Sequence, residues 1–163
     1  MRQEWLMLRV IMCLVPFAFL SVGCEKDKNG SDDASSGANA EADVIYSAGT
    51  GKVRGTWTFD LDKGVEAGEK IDFHWNRLSA DKTDTYLEPR NGARFKAMGL
   101  VDFGAITKSD VVAASLSTAK IHHSALPVNA VVIYKTDEGR YGKFEVRGFS
   151  GNEDLTLRWV TWE

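Results

Sequence analysis

The chain has 163 residues, with 20 Lys plus Arg against 23 Asp plus Glu, a formal net charge of −3 at pH 7. That length allows one ordinary domain with a real core, and residues 44–163 carry 16 basic and 16 acidic side chains, which leaves no broad basic footprint for nucleic acid. Both cysteines, Cys13 and Cys24, precede residue 44, so a disulfide framework and a Cys-x-x-Cys metal site are excluded from everything after it.

Arg2 and Arg9 flank the start, and Val10 to Leu20, VIMCLVPFAFL, follows without a charge. At 1.5 Å per residue this run reaches only about half-way across a hydrocarbon core of about 30 Å. A charged start, a short apolar centre and the small-residue exit SVG identify residues 1–23 as an export signal peptide. The stretch LSVGC, Leu20 to Cys24, resembles the lipobox of bacterial lipoproteins, with Ser21 where that family prefers Leu. The resemblance implies cleavage before Cys24, a diacylglyceryl group on its sulfur and often a further acyl chain on its amine. Two such chains already hold a protein on a bilayer, because each buried CH₂ contributes about 0.8 kcal/mol.

From Glu25 to Asp43 the sequence reads EKDKNGSDDASSGANAEAD, apolar only in its alanines. It cannot bury enough surface to offset the entropy of ordering, so residues 24–43 are expected to be a flexible tether holding the domain about 25 Å from its anchor. Glu25 is not the Asp that resembles the inner-membrane retention signal of enteric lipoproteins, and this favours the outer membrane. Whether the domain faces the periplasm or the medium is left open.

Beyond residue 44 the pattern alternates. Val53, Gly55, Trp57, Phe59 and Leu61 oppose polar neighbours, and Ile71, Phe73 and Trp75 oppose Asp72, His74 and Asn76, the period of a half-buried strand. Ala93, Phe95 and Ala97 continue through a bulge expected at Gly99 to Val101 and Phe103. TKSDVVAASLS places one short helix near 109–117, capped by Thr107 or Ser109. AVVIYKT, the turn DEGR and YGKFEVRGF form a hairpin, and GNED leads into LTLRWVTW. The whole predicts an all-β domain over 44–163, an antiparallel sandwich or barrel of about seven to eight strands.

Catalytic signatures fail on inspection. SAGTGKVRG, Ser47 to Gly55, has Tyr46 and Val53 at the two positions that a phosphate-binding loop reserves for Gly and Ser/Thr, and a strand rather than a helix follows, so it reads as a flexible turn. GFSGN, Gly148 to Asn152, misses the nucleophile elbow by one residue and lies between strands. His74 sits two residues from Asp72, a pairing that could orient a base, but no nucleophile accompanies it. The chain is therefore expected not to be an enzyme. His122 and His123 are adjacent; if extended they point to opposite faces and cannot share one small ion. Trp57, Trp75 and Trp159 fit core positions, whereas Tyr134 and Trp162, near strand ends, could stack a sugar or planar ligand.

The block VVIYKTDEGRYGKFEVRGFSGNEDLTLRWVTW resembles the end of the HmuY-like haem-binding lipoproteins, and IDFHWNR, RNGA and VDFGAIT are similar to further pieces of that family. The resemblance implies a β-rich envelope lipoprotein that holds haem between two axial side chains, with His74, Met98, His122 and His123 as candidates here. The expectation is thus a membrane-anchored, non-catalytic binding module whose cofactor is left open, with haem or another small planar ligand as the candidate. The alternative is an interaction lipoprotein with a protein or glycan partner in the envelope.

Overall fold

The computed structural model describes residues 43–66, 70–77, 84–151 and 153–163; the expected signal peptide, Cys24 and the tether up to residue 42 lie outside them. The described chain is an antiparallel β-sandwich. Its first sheet contains β1 (Ile45–Val53), β6 (Arg94–Gly99), β8 (Val131–Lys135), β9 (Tyr141–Ser150) and β10 (Asp154–Trp162), in the spatial order β1-β10-β9-β8-β6. The second contains β2 (Trp57–Asp60), β3 (Val65–Glu66), β4 (Phe73–Arg77), β5 (Thr85–Pro89) and β7 (Ile121–His122), in the order β3-β2-β4-β5-β7. The strand count exceeds the expected one partly because β3 and β7 have two residues each, too short to show a period.

Alternation builds the space between the sheets. Phe59, Phe73, Trp75 and Leu87 from the second sheet meet Phe95, Tyr134, Phe144, Val146, Leu155, Leu157 and Trp159 from the first. The rings form a chain of contacts: Trp159 to Phe59 at 5.6 Å, Phe59 to Phe73 at 5.8 Å, Phe73 to Phe95 at 6.0 Å and Phe95 to Tyr134 at 5.8 Å between centroids. Edge and tilted geometries of this kind add to the burial of the rings themselves. Trp57, although opposite Trp75 in register, stays 38% exposed; it closes the end of the sheet under the Arg54 guanidinium, 3.3 Å from its ring centroid.

A second apolar layer lies on the far side of the first sheet. Val111 from the helix α1 (Lys108–Ala113), with Ile106 and Leu116, covers Ile133, Val160 and Trp162. This cover explains the unbroken apolar run VVIY of β8, because a strand buried on both faces loses its alternation. Thr107 caps α1 through a reciprocal box with Asp110. The helix ends at Ala113, short of the expected 117, where Ala114 turns extended and Ser117 bridges to Phe95.

The segment read as a flexible turn, SAGTGKV, lies within β1 and pairs along β10 from Ile45↔Trp162 to Val53↔Leu155. Its glycines are explained by Trp159, which faces Gly49 in register. A Cβ at Gly49 would lie 2.8 Å from the indole, one at Gly51 3.2 Å, and one at Gly64 2.2 Å. Three glycines thus form the cradle of one large ring. The register shift at Gly99 (φ +74°) and the β8–β9 hairpin, with Gly139 at φ +93°, occur where expected, but β6 ends at Gly99 and does not continue to Val101 and Phe103.

Candidate functional site

The four side chains proposed as axial ligands do not meet in one place. Phe73 and Trp75 of β4 are fully buried, so by the two-residue period His74 projects from the outer face of the second sheet. His122 opposes Tyr86, which by the same period shares that face. Met98 is 38% exposed on β6, in the other sheet. His123 opens a 3-10 turn (His123–Ala125) and lies 4.7 Å from the Phe149 ring and 6.1 Å from Trp75, with Nε2 3.8 Å from Glu153 Oε2. The neighbouring Trp75 indole donates to the Glu153 carbonyl at 2.6 Å.

Around His74 the outer face carries a connected polar cluster. Glu88, opposite His74 in register, accepts from Arg90 at 2.8 Å and lies 3.4 Å from Lys120 Nζ and 3.9 Å from His74 Nδ1. Arg90 also approaches His74 Nδ1 at 3.3 Å. Lys120 sits 4.1 Å above the Tyr86 ring, whose hydroxyl accepts from Asn76 at 2.9 Å. His122, on the same face, has Nδ1 3.0 Å from Ser124 Oγ. Ladder pairing fixes His74, Asn76, Tyr86, Glu88 and His122 on β4, β5 and β7, with Arg90 and Lys120 directly beyond the strand ends, so this part of the surface needs little rearrangement to meet a partner.

Asp72 is not part of that cluster, which corrects its pairing with His74. It lies just before β4, fully buried, where Oδ2 accepts from the Leu61 amide at 2.7 Å and Oδ1 from the Asp137 amide at 2.8 Å. It therefore ties the turn after β2 to the β8–β9 hairpin. Burial pushes its carboxyl up to about 7 against the pull of those two amides, and the Asp62 charge adds to the rise.

Asp60 and Asp62 complete a group at this end of the sandwich. Asp60, Asp62 and Asp72 each place one carboxylate oxygen within 4.8 Å of the others, and the residues are 3%, 5% and 0% exposed. Asp60 Oδ1 accepts from the Asp62 and Lys63 amides at 3.0 and 2.9 Å, and Oδ2 meets Lys63 Nζ at 3.0 Å. Asp62 Oδ2 lies 3.1 Å from Arg140 Nη1. Burial raises the Asp62 carboxyl; Thr136 and Arg140 oppose the rise, yet neither of its buried oxygens accepts a well-formed hydrogen bond. A sequence cue existed in the D-x-D-x-G spacing of Asp60, Asp62 and Gly64, although Asp72 joins them only through the fold.

Tyr134 and Trp162 are not a stacking platform. Tyr134 is fully buried, bonded to Thr161 Oγ1 at 2.8 Å and seated where Gly142 leaves room; Trp162 is 5% exposed, under the helix layer. Among the described residues no helix is long and apolar enough to cross a membrane. No family model matches the chain, nor does any curated protein or any solved structure.

Proposed function

We propose that this chain is a bacterial envelope lipoprotein, anchored through acylated Cys24, whose β-sandwich is a non-catalytic binding module taking its ligand on the outer face of the second sheet. The observation that carries the reading is the set of polar groups His74, Asn76, Tyr86 and Glu88 on strands β4 and β5, with Arg90 just beyond β5 bonded to Glu88 and Lys120 lying against both Glu88 and Tyr86. Such a face offers donors, acceptors and a ring at fixed positions, which suits a glycan or a polar protein surface. The Asp72 and His74 pairing that a hydrolase would have used is separated by the fold, each residue being committed to other partners.

Haem is the second reading, favoured by His74 and His122 sharing this face. They stand on strands two spacings apart and are offset by two residues, about 12 Å between Cα atoms. Two measurements test the proposal. Mass spectrometry of the mature protein is expected to find an acylated Cys24 at the N-terminus; an unmodified thiol or another start point overturns the anchor. Haemin titration distinguishes the ligands: a saturable Soret shift lost in His74→Ala and His122→Ala supports haem. Without that shift, binding to envelope glycans or proteins that is lost in Tyr86→Ala and Glu88→Ala supports the first reading. Binding unchanged by all four variants overturns the face.

A further inference from the structure

The geometry points to a calcium site at the Asp60–Asp62–Asp72 group, separate from the sheet face. Two ligand oxygens on a calcium ion, each at about 2.3–2.6 Å, are at most about 5 Å apart, and calcium accepts irregular geometry where magnesium demands a near-ideal octahedron. The three aspartates keep one oxygen each within 4.8 Å of the others, a spacing a calcium ion can bridge with little movement. The donors are all carboxylate oxygen, which suits a hard cation rather than zinc or copper.

The second, independent observation is Asp62. Its side chain is 3% exposed, with Oδ2 3.1 Å from Arg140 Nη1 and the Thr136 hydroxyl beside the carboxylate, while Oδ1 is buried with no well-formed hydrogen bond. A buried polar atom left in that condition costs about 1–3 kcal/mol, more when charged, and a cation bridging to Asp60 and Asp72 supplies the missing partner. Lys63 and Arg140 are the cations already in contact with the group, at Asp60 Oδ2 and Asp62 Oδ2. The Lys63 side chain, 57% exposed, can swing into water as the ion takes Asp60 Oδ2. The turn itself is preset, since Asp60 holds the amides of Asp62 and Lys63, and Gly64 takes φ +68°.

The test uses the full mature chain in detergent, stripped with a chelator and titrated with calcium chloride, with magnesium chloride in parallel, by calorimetry and thermal unfolding. The expected result is one saturable calcium site with Kd of about 10⁻⁴ to 10⁻³ M, the range of extracellular calcium modules, a rise in Tm, and weaker response to magnesium. Asp62→Asn, which keeps the side-chain shape, is expected to weaken calcium at least about tenfold, while Glu138→Gln, outside the triad, leaves it within about twofold. No saturation by about 10 mM calcium in the unaltered chain overturns the site. So does binding that Asp62→Asn leaves intact or Glu138→Gln abolishes. Should Asp62→Asn fail to fold, Asp60→Asn takes its place, and the titration of the unaltered chain still decides.

Discussion

Gly64 shows how much of this fold depends on single positions where a side chain is missing. Its φ of +68° lies in the left-handed region and a Cβ there would lie 2.2 Å from the Trp159 indole, so alanine meets both backbone strain and a ring that cannot retreat. Left-handed backbone costs an L-residue about 1–2 kcal/mol and overpacking about 1–3 kcal/mol. Gly64→Ala is therefore expected to lower unfolding free energy by about 2–4 kcal/mol in urea titration, with a shifted Trp159 emission. Gly92→Ala, where nothing lies within 4 Å of the added carbon, is expected to show the backbone part alone. Trp159 also donates to Ser47 at 3.2 Å, which anchors the indole in register.

At the scale of elements, Lys143 fastens the layer over the first sheet. It is 6% exposed on β9, and its ammonium donates to the carbonyls of Phe103 and Ile106 at 2.6 and 2.5 Å while lying 4.5 Å from the Phe103 ring centroid. Arg158 flanks the same ring at 4.2 Å. Burial, followed by the Arg158 charge, holds the Lys143 ammonium below its usual pKa, yet two charge-assisted bonds keep the loop seated. Lys143→Met retains the stem and loses both bonds. It is expected to cost about 2 kcal/mol and to speed hydrogen exchange at residues 103–114 without affecting β4 or β5.

These elements differ in how far the sequence announced them. β4 and β10 are legible because alternation marks a half-buried strand, and β8–β9 because the DEGR turn between two apolar runs marks a hairpin. β1 is not, since glycines at positions 49 and 51 imitate a loop until their Trp159 partner, more than a hundred residues away, is known. The burial of Lys143, next to Phe144 in YGKFEVRGF, is hidden for a related reason: alternation identifies faces, but it does not reveal that the second face will be roofed. His74 was correctly placed on a polar face, whereas Asp72 was assigned there too and is instead drawn inside by two backbone amides. The candidate calcium ligands were half visible, as D-x-D-x-G, with the third supplied by tertiary structure.

For the molecule as a whole, the aspartate group makes stability depend on proton concentration. A carboxyl raised by burial binds its proton more tightly folded than unfolded, so its contribution is complete below the unfolded value of 3.8 and is lost as pH rises through the folded value of about 7. In chelator, stability is expected to decline between about pH 4 and pH 7, and Asp72→Asn to flatten that slope. Urea midpoints at half-unit pH steps check both.

The pairing of β1 with β10 carries a consequence for synthesis. Ile45 finds its opposite number at Trp162, so the earliest strand to leave the ribosome has no hydrogen-bonding neighbour until the last has followed. Closure over such a separation is slow. The β6–β8–β9 part of the first sheet can pair beforehand, whereas β1 joins it only after β10 is in place.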